Sequence, residues 1–197
     1  DFFTYLYFAE LELDANDPLW EERDRLFLST AHNSAVFHAT LAERGLIDVS
    51  RLDTYCDDAS ELEINVSERL GPLVECTCGS LGQGLSVAIG HAETARRRGK
   101  ANRFYVILGD GELQEGQTWE AAMYAGSRAL ESICLTIDLN QLQVAGVTSK
   151  VLDMAPVADK WTAFGWAVRS VDGNDLADLA AGYDWLRAQA KPGVLIA

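Results

Sequence analysis

An α/β domain, with a parallel sheet covered by helices on both faces, is what the sequence predicts, and three observations predict it. Phe104-Tyr105-Val106-Ile107-Leu108 and Ile133-Cys134-Leu135-Thr136-Ile137-Asp138 are apolar runs of strand length, the pattern of strands buried on both faces. Segments of helix length alternate with such runs. A chain of 197 residues, free of internal repeats and low-complexity segments, is long enough to bury one core of this kind.

The elements follow in order. Residues 2–11 carry apolar side chains at helical spacing until Asp14-Ala15-Asn16-Asp17-Pro18 breaks the pattern. Leu26-Phe27-Leu28 reads as a short strand. Ala31 to Gly45 reads as a helix, with Asn33 or Ser34 as its cap and Gly45 at its C-terminal end. Asp48 to Leu70 is polar and irregular, with one helix around Ser50–Cys56. Gly79-Ser80-Leu81-Gly82-Gln83-Gly84 opens a long helix to about Arg97. Leu81, Leu85, Ala88, Ile89 and Ala92 form its apolar stripe, and Arg96-Arg97-Arg98 suits its C-terminus. Strand 104–108 ends at Gly109-Asp110-Gly111, and a helix is expected over Trp119–Leu130. Strand 133–138 ends at Leu139-Asn140. Helix Pro156–Phe164, strand Trp166–Val171, helix Leu176–Gln189 and a strand from Val194 complete the series. The chain starts and stops inside apolar runs, so residues 1–197 are expected to be a single domain truncated at both ends.

Charge narrows the function. With 16 Lys+Arg against 30 Asp+Glu the net charge is −14, which argues against non-specific binding to nucleic acid or an anionic membrane. An anionic ligand stays possible where a metal ion supplies local positive charge. No apolar run is long enough for a spanning helix, and Asp1-Phe2-Phe3-Thr4-Tyr5 lacks the basic start of a signal peptide. The four cysteines, at 56, 76, 78 and 134, are too sparse for a disulfide scaffold, so a reducing, cytoplasmic setting is expected. Cys76-x-Cys78 has no second cysteine pair to make a zinc site, and reads as small residues leading into the glycine loop.

Ligands of open α/β sheets bind beyond the carboxyl ends of the strands. Asp110 and Asn140 stand at that edge, and with a nearby backbone carbonyl they are hard oxygen donors suited to Mg²⁺ or Ca²⁺ shared with a phosphate. Each piece alone is also ordinary turn chemistry. The Gly79–Gly84 loop has two readings, an anion site at a helix N-terminus or a tight turn whose small residues allow helix packing. Its Gly-x-x-Gly-x-Gly spacing is neither the dinucleotide fingerprint nor a Walker loop. His32, taken alone, reads as structural, and His38 and His91 as packing residues.

Together these pieces resemble something specific. Gly109-Asp110-Gly111-Glu112-Leu113-Gln114-Glu115-Gly116-Gln117-Thr118-Trp119-Glu120-Ala121-Ala122, followed by Asp138-Leu139-Asn140-Gln141-Leu142-Gln143-Val144, resembles the thiamine diphosphate motif of transketolases. More narrowly, it is similar to the N-terminal subunit of split bacterial transketolases. The resemblance extends over Asp24-Arg25, Leu28-Ser29, His32, Leu41–Gly45, Gly79–Gly84 and Val171-Asp172-Gly173, nearly the whole chain.

The resemblance implies a thiamine diphosphate-binding fold and a transketolase-like transfer of a two-carbon ketol or acyl unit. Asp110, the Asn140 side chain and the Leu142 carbonyl would hold Mg²⁺ against the diphosphate. Gly111 and its neighbours Gly109 and Glu112 would contact phosphate. His32 would serve as a catalytic residue near the diphosphate. Gly79, Ser80 and Leu81 would line the diphosphate and thiazolium, with Val144 on the ring's other side. Glu115 and Glu120 match acidic residues at the family's subunit interface. The activating glutamate belongs to a pyrimidine-binding domain absent here, so a partner subunit would supply it in a two-plus-two heterotetramer.

Several positions depart from the family pattern. Asn65-Val66 stands where His-Pro is usual, and Ala31, Cys78, Ala145 and Asn174 replace the usual Gly, Thr, Asp and His. The cofactor positions are kept while donor-sugar positions are altered, so the expected donor is not a standard ketose phosphate. The alternatives are an alpha subunit of a 2-oxo-acid or acetoin dehydrogenase complex, and a non-catalytic subunit that kept the fold.

Overall fold

Apolar runs with no polar face can be buried only between two helical layers, and the sheet is built that way. In a computed structural model that describes residues 1–197, the strands are Arg25–Leu28 (β1), Phe104–Gly109 (β2), Ile133–Asp138 (β3), Leu142–Gln143 (β4), Gly146–Val147 (β5), Ala167–Ser170 (β6) and Gly193–Ile196 (β7). Five of them form one parallel sheet in the order β1-β2-β3-β7-β6, and β4 and β5 make a separate antiparallel hairpin. The helices are Phe2–Tyr5 (α1), Ser34–Glu43 (α2), Gln83–Arg97 (α3), Gly116–Ser127 (α4), Thr148–Val151 (α5), Val157–Ala163 (α6) and Leu176–Arg187 (α7).

Successive side chains of a strand point to opposite faces, which divides the core in two. Phe27, Phe104, Val106, Leu108, Ile133, Leu135 and Ile137 pack against α3, α4 and α6. Leu26, Leu28, Tyr105, Ile107 and Cys134 pack against α1, α2 and α7. The expected stripe of α3 holds: Leu85, Ala88, Ile89 and Ala92 are buried, while Leu81 lies just before the helix and is half-buried.

Some boundaries differ from expectation. Asn33 stands at the N-cap of α2, but its side chain makes no capping hydrogen bond, and Ser34 is the first residue of the helix. The buried Ser34 hydroxyl donates instead to the Ile64 carbonyl at 2.6 Å and meets the Tyr55 hydroxyl at 2.8 Å, so it ties the helix to the irregular segment. Residues 31–33 form a 3₁₀ turn ahead of α2, and Gly45, at φ +77°, closes it as expected. Helix α4 starts at Gly116, ahead of Trp119. The β4–β5 hairpin and α5 occupy a stretch to which the sequence assigns no element.

His91 packs edge-on against Phe27, and His38 lies between Phe37 and Tyr55. Neither ring nitrogen of His38 has a hydrogen-bond partner, and burial, helped by the Arg51 charge, holds its pKa below the usual imidazole value. The unfolded chain therefore binds a proton at His38 more readily than the folded one. Stability from this residue is present above the ordinary histidine pKa, about 6.5, and is lost as pH falls below it. His38→Phe keeps a ring without polar atoms. Urea denaturation should show a smaller loss of stability between pH 7 and pH 5 in the variant than in the parent chain, with stability at pH 7 retained.

Candidate functional site

Strand β1 leads into α2 on one face of the sheet, and β2 leads through Asp110–Gln114 into α4 on the other. Loops that leave adjacent strands toward opposite faces open a crevice at the carboxyl edge. Ser29 to His32 form one wall and Gly109 to Gly111 the other, and a Cβ on Gly109 would lie 3.5 Å from Thr30 Oγ1. His32 is exposed at this mouth, with Thr30 Oγ1 3.1 Å from its Nε2. Interaction with His32 is among the effects that lower the Glu112 and Asp138 carboxyls.

Glu112 is the centre of the wall. Its side chain turns inward, 1% exposed, and accepts from the Ser29 hydroxyl at 2.6 Å, the Gly82 N–H at 2.8 Å and the Gly109 N–H at 2.9 Å. Burial pushes its carboxyl above the usual range, and those three donors oppose the shift. The resemblance gives the main-chain N–H groups beside Gly111 to the diphosphate, and the Glu112 carboxylate is committed to the protein. The Gly109 N–H is committed in the same way.

The glycine loop resolves into two halves. Gly84 donates its N–H to Ser29 Oγ at 3.1 Å, and a Cβ there would fall 2.5 Å from Ser29 Cβ. Gly82 adopts φ +83°, and its Cβ would fall 2.9 Å from Thr118 Oγ1. The packing reading therefore holds for Gly82 and Gly84, whose amides are taken by Glu112 and Ser29. Gly79 and Ser80 are exposed.

At the ends of β2 and β3 lie the oxygen donors. Asp110 is 2% exposed, and the Thr148 hydroxyl donates to its Oδ2 at 3.0 Å. Asn140 Oδ1 accepts the Leu142 N–H at 2.8 Å, which folds the chain into the hairpin and leaves the oxygen a second lone pair. Burial raises the Asp138 carboxyl, with a hydrogen bond from Asn140 opposing and the Asp110 charge adding. Neither Asp110 nor Asp138 belongs to any ion pair of the chain. No group of three His, Cys, Asp or Glu side chains makes a metal cage. A buried carboxylate with no basic side chain to pair it, beside an amide oxygen and a strand-end carbonyl, fits a divalent ion that completes its coordination from a ligand.

The hairpin roofs this edge. Gln143 packs against Gly111, where a Cβ would be 3.4 Å from Gln143 Cβ, and its buried Oε1 has no donor. Leu142 and Val144 are exposed, Val144 fully so. Glu115 and Glu120 are exposed at and just inside the start of α4. Sequence reasoning missed Thr148, which lies 38 residues from Asp110 and carries no local signal. It also missed the roles of Ser29 and Gln143. For Ser29 the available hint was a small hydroxyl directly after a strand that faces a glycine-rich helix start.

The geometry predicts the effect of Glu112→Gln. An amide offers one acceptor oxygen, so its NH₂ group would confront the Gly109 N–H or the Ser29 and Gly82 donors. Leaving buried donors unmet costs about 1–3 kcal/mol. Urea denaturation should show a loss in that range, and amide hydrogen exchange should show faster exchange at Gly82, Gly84 and Gly109.

The chain matches the family described as "Transketolase, thiamine diphosphate binding domain" over residues 1–197. It is 39% identical over 192 residues to a 6-deoxy-6-sulfo-D-fructose transketolase subunit of Clostridium sp., covering 97% of this chain and 70% of that protein. It is 38% identical over 194 residues to an apulose-4-phosphate transketolase subunit of Actinobacillus succinogenes, covering 98% and 70%. Among solved structures, transketolase from Campylobacter jejuni superposes with a TM-score of 0.92 at 27% identity, over 98% of this chain and 31% of that one. The transketolase from Leishmania mexicana gives 0.91 at 29% identity, over 98% and 31%. With its whole length matched to that domain, and its five-stranded parallel sheet shared with solved members, the chain belongs to the transketolase family.

Proposed function

We propose that residues 1–197 form a single domain, the diphosphate- and Mg²⁺-binding part of a heteromeric transketolase-like transferase. The observation that carries this reading is the buried Asp110 carboxylate, paired with no Lys or Arg, at the crevice between β1 and β2 beside Asn140 and Leu142. Asp110, Asn140 Oδ1 and the Leu142 carbonyl hold Mg²⁺ there, and Gly111 lets the chain approach the diphosphate closely. Gly79, Ser80 and Leu81 line the cofactor on one side and the exposed Val144 covers it on the other. Glu112 works from behind, by fixing Ser29, Gly82 and Gly109.

When bound, thiamine diphosphate supplies an electron sink for breaking and making a C–C bond next to a carbonyl. The residues of this chain fix the cofactor's tail and so orient its reactive end. His32, exposed at the mouth, holds or moves a proton near the diphosphate and substrate. A partner subunit brings the pyrimidine-binding domain and the activating glutamate. Glu115 and Glu120 face it in a two-plus-two assembly. The four free cysteines support a cytoplasmic setting. No helix is long and apolar enough to cross a membrane.

The donor is a specialised one. Two relatives are named for 6-deoxy-6-sulfo-D-fructose and apulose 4-phosphate. In this chain the exposed Asn65 lies against Gly79, 3.8 Å from where a Cβ would stand. A carboxamide there presents a donor and an acceptor without charge to whatever lies over the loop.

Calorimetric titration of Mg²⁺ and thiamine diphosphate into the full-length chain, alone and co-purified with its partner, tests the reading. Tight binding only with the partner is expected, and no binding in either state overturns it. Asp110→Ala should weaken Mg²⁺-dependent cofactor binding by more than about 100-fold, and near-normal affinity would remove the metal assignment. Asn65→His should shift kcat/KM between competing donors by about 10–100-fold with cofactor affinity kept.

A further inference from the structure

Two thiols face each other at the root of the Gly79–Gly84 loop. Positions i and i+2 of an extended segment project to the same side. Here that brings the Cys76 and Cys78 sulfurs to 3.2 Å with no disulfide between them. Cys78 is 1% exposed and Cys76 is half-buried, so a small molecule in solvent meets Cys76 first. Hydrogen bonding from Cys78 holds the Cys76 thiol below the usual range, against burial and the charges of Glu68 and Glu75. The same contact, reinforced by burial, raises Cys78. As the more accessible of the two, Cys76 is the partner that meets the oxidant and Cys78 the resolving one.

The surroundings decide which residue moves when the sulfurs join. The Thr77 N–H donates to Glu68 Oε2 at 3.1 Å, and the Glu68 N–H donates to Thr77 Oγ1 at 3.0 Å. Cys76 packs against the core under α3 and α4. The 76–77 side is thus anchored. Beyond Cys78, a Cβ built on Gly79 would meet only the Asn65 side chain, at 3.8 Å. Closing the gap to a bond of about 2.05 Å falls on Cys78 and Gly79.

We propose that Cys76 and Cys78 form a reversible dithiol–disulfide pair, oxidised by hydrogen peroxide and reduced by small dithiols, that sets the position of residues 79–81. The Cys76 thiolate attacks one peroxide oxygen; an S–O bond forms, the O–O bond breaks, and the departing hydroxide takes up the proton that Cys76 lost. The Cys78 sulfur then attacks the Cys76 sulfenic acid; the S–S bond forms, the S–O bond breaks, and hydroxide leaves with the Cys78 proton. One peroxide and two thiols give one disulfide and two waters. The effect on cofactor affinity rests on the proposed function, whereas the thiol chemistry does not.

The test uses the full-length chain with its partner in a Cys56→Ser background, treated with hydrogen peroxide and then with dithiothreitol. Peptide mapping should find a Cys76–Cys78 crosslink that dithiothreitol removes. Hydrogen exchange at residues 79–81 should change on oxidation with no cofactor present. The Kd for Mg²⁺–thiamine diphosphate should rise about tenfold or more and return on reduction. Cys76→Ser should abolish all three responses. Absence of the crosslink, or a crosslink with unchanged exchange at 79–81, overturns the proposal. If the reduced complex binds no cofactor, the functional reading fails, and mapping and exchange still decide the thiol pair.

Discussion

The crevice depends on one buried carboxylate meeting three donors from three separate segments. Glu112 follows β2, Ser29 follows β1, and Gly82 starts α3, and their hydrogen bonds of 2.6 to 2.9 Å fix the relative positions of all three. A carboxylate in that place is costly unless every oxygen is satisfied, because burial disfavours its charge. The cost also makes the arrangement specific. Any shift of the glycine loop relative to the β1 or β2 wall would strand either the charge or an amide. Ser29 extends the link, since its oxygen donates to Glu112 and accepts from Gly84.

Around this centre the chain separates support from contact. Gly82 and Gly84 bring α3 against β1 and the start of α4, distances at which no side chain fits, and their N–H groups are taken. Gly79, Ser80, His32 and Val144 remain open. The open groups expected to touch a ligand thus stand in front of Glu112, which is buried with both carboxylate oxygens bonded. That is the division a site needs when its geometry must hold before the ligand arrives.

Electrostatics explains how a chain of net charge −14 suits a phosphorylated ligand. Asp110 and Asp138 add negative charge at the same edge, and no Lys or Arg pairs with them. The local charge needs a cation, and a divalent ion held by Asp110, Asn140 and a backbone oxygen would meet that need while bridging to phosphate. Overall acidity and an anionic ligand are compatible because the field at the crevice would be set by the ion rather than by the surface. The Cys76–Cys78 pair adjoins the open half of the loop, where a sulfur–sulfur bond would act on Gly79 and Ser80, which no Glu112 hydrogen bond reaches.

The five strands of the parallel sheet, most helices and the edge at which the site lies are legible in the amino-acid sequence, because apolar runs and their periodicity are local signals. The family is legible too, since Gly109–Ala122 and Asp138–Val144 keep their residue types and spacing. It took the folded chain to show that Glu112 points inward, that Gly82 and Gly84 are packing positions, and that Ser34 binds Ile64 instead of capping α2. Thr148 on Asp110 and Gln143 behind Gly111 belong to the same class. One cause is common to all of them. A polar side chain has several possible partners of similar strength within its own segment and across the fold. Which one it takes depends on what packing brings within about 3 Å, and that distance is set by residues far away in the chain.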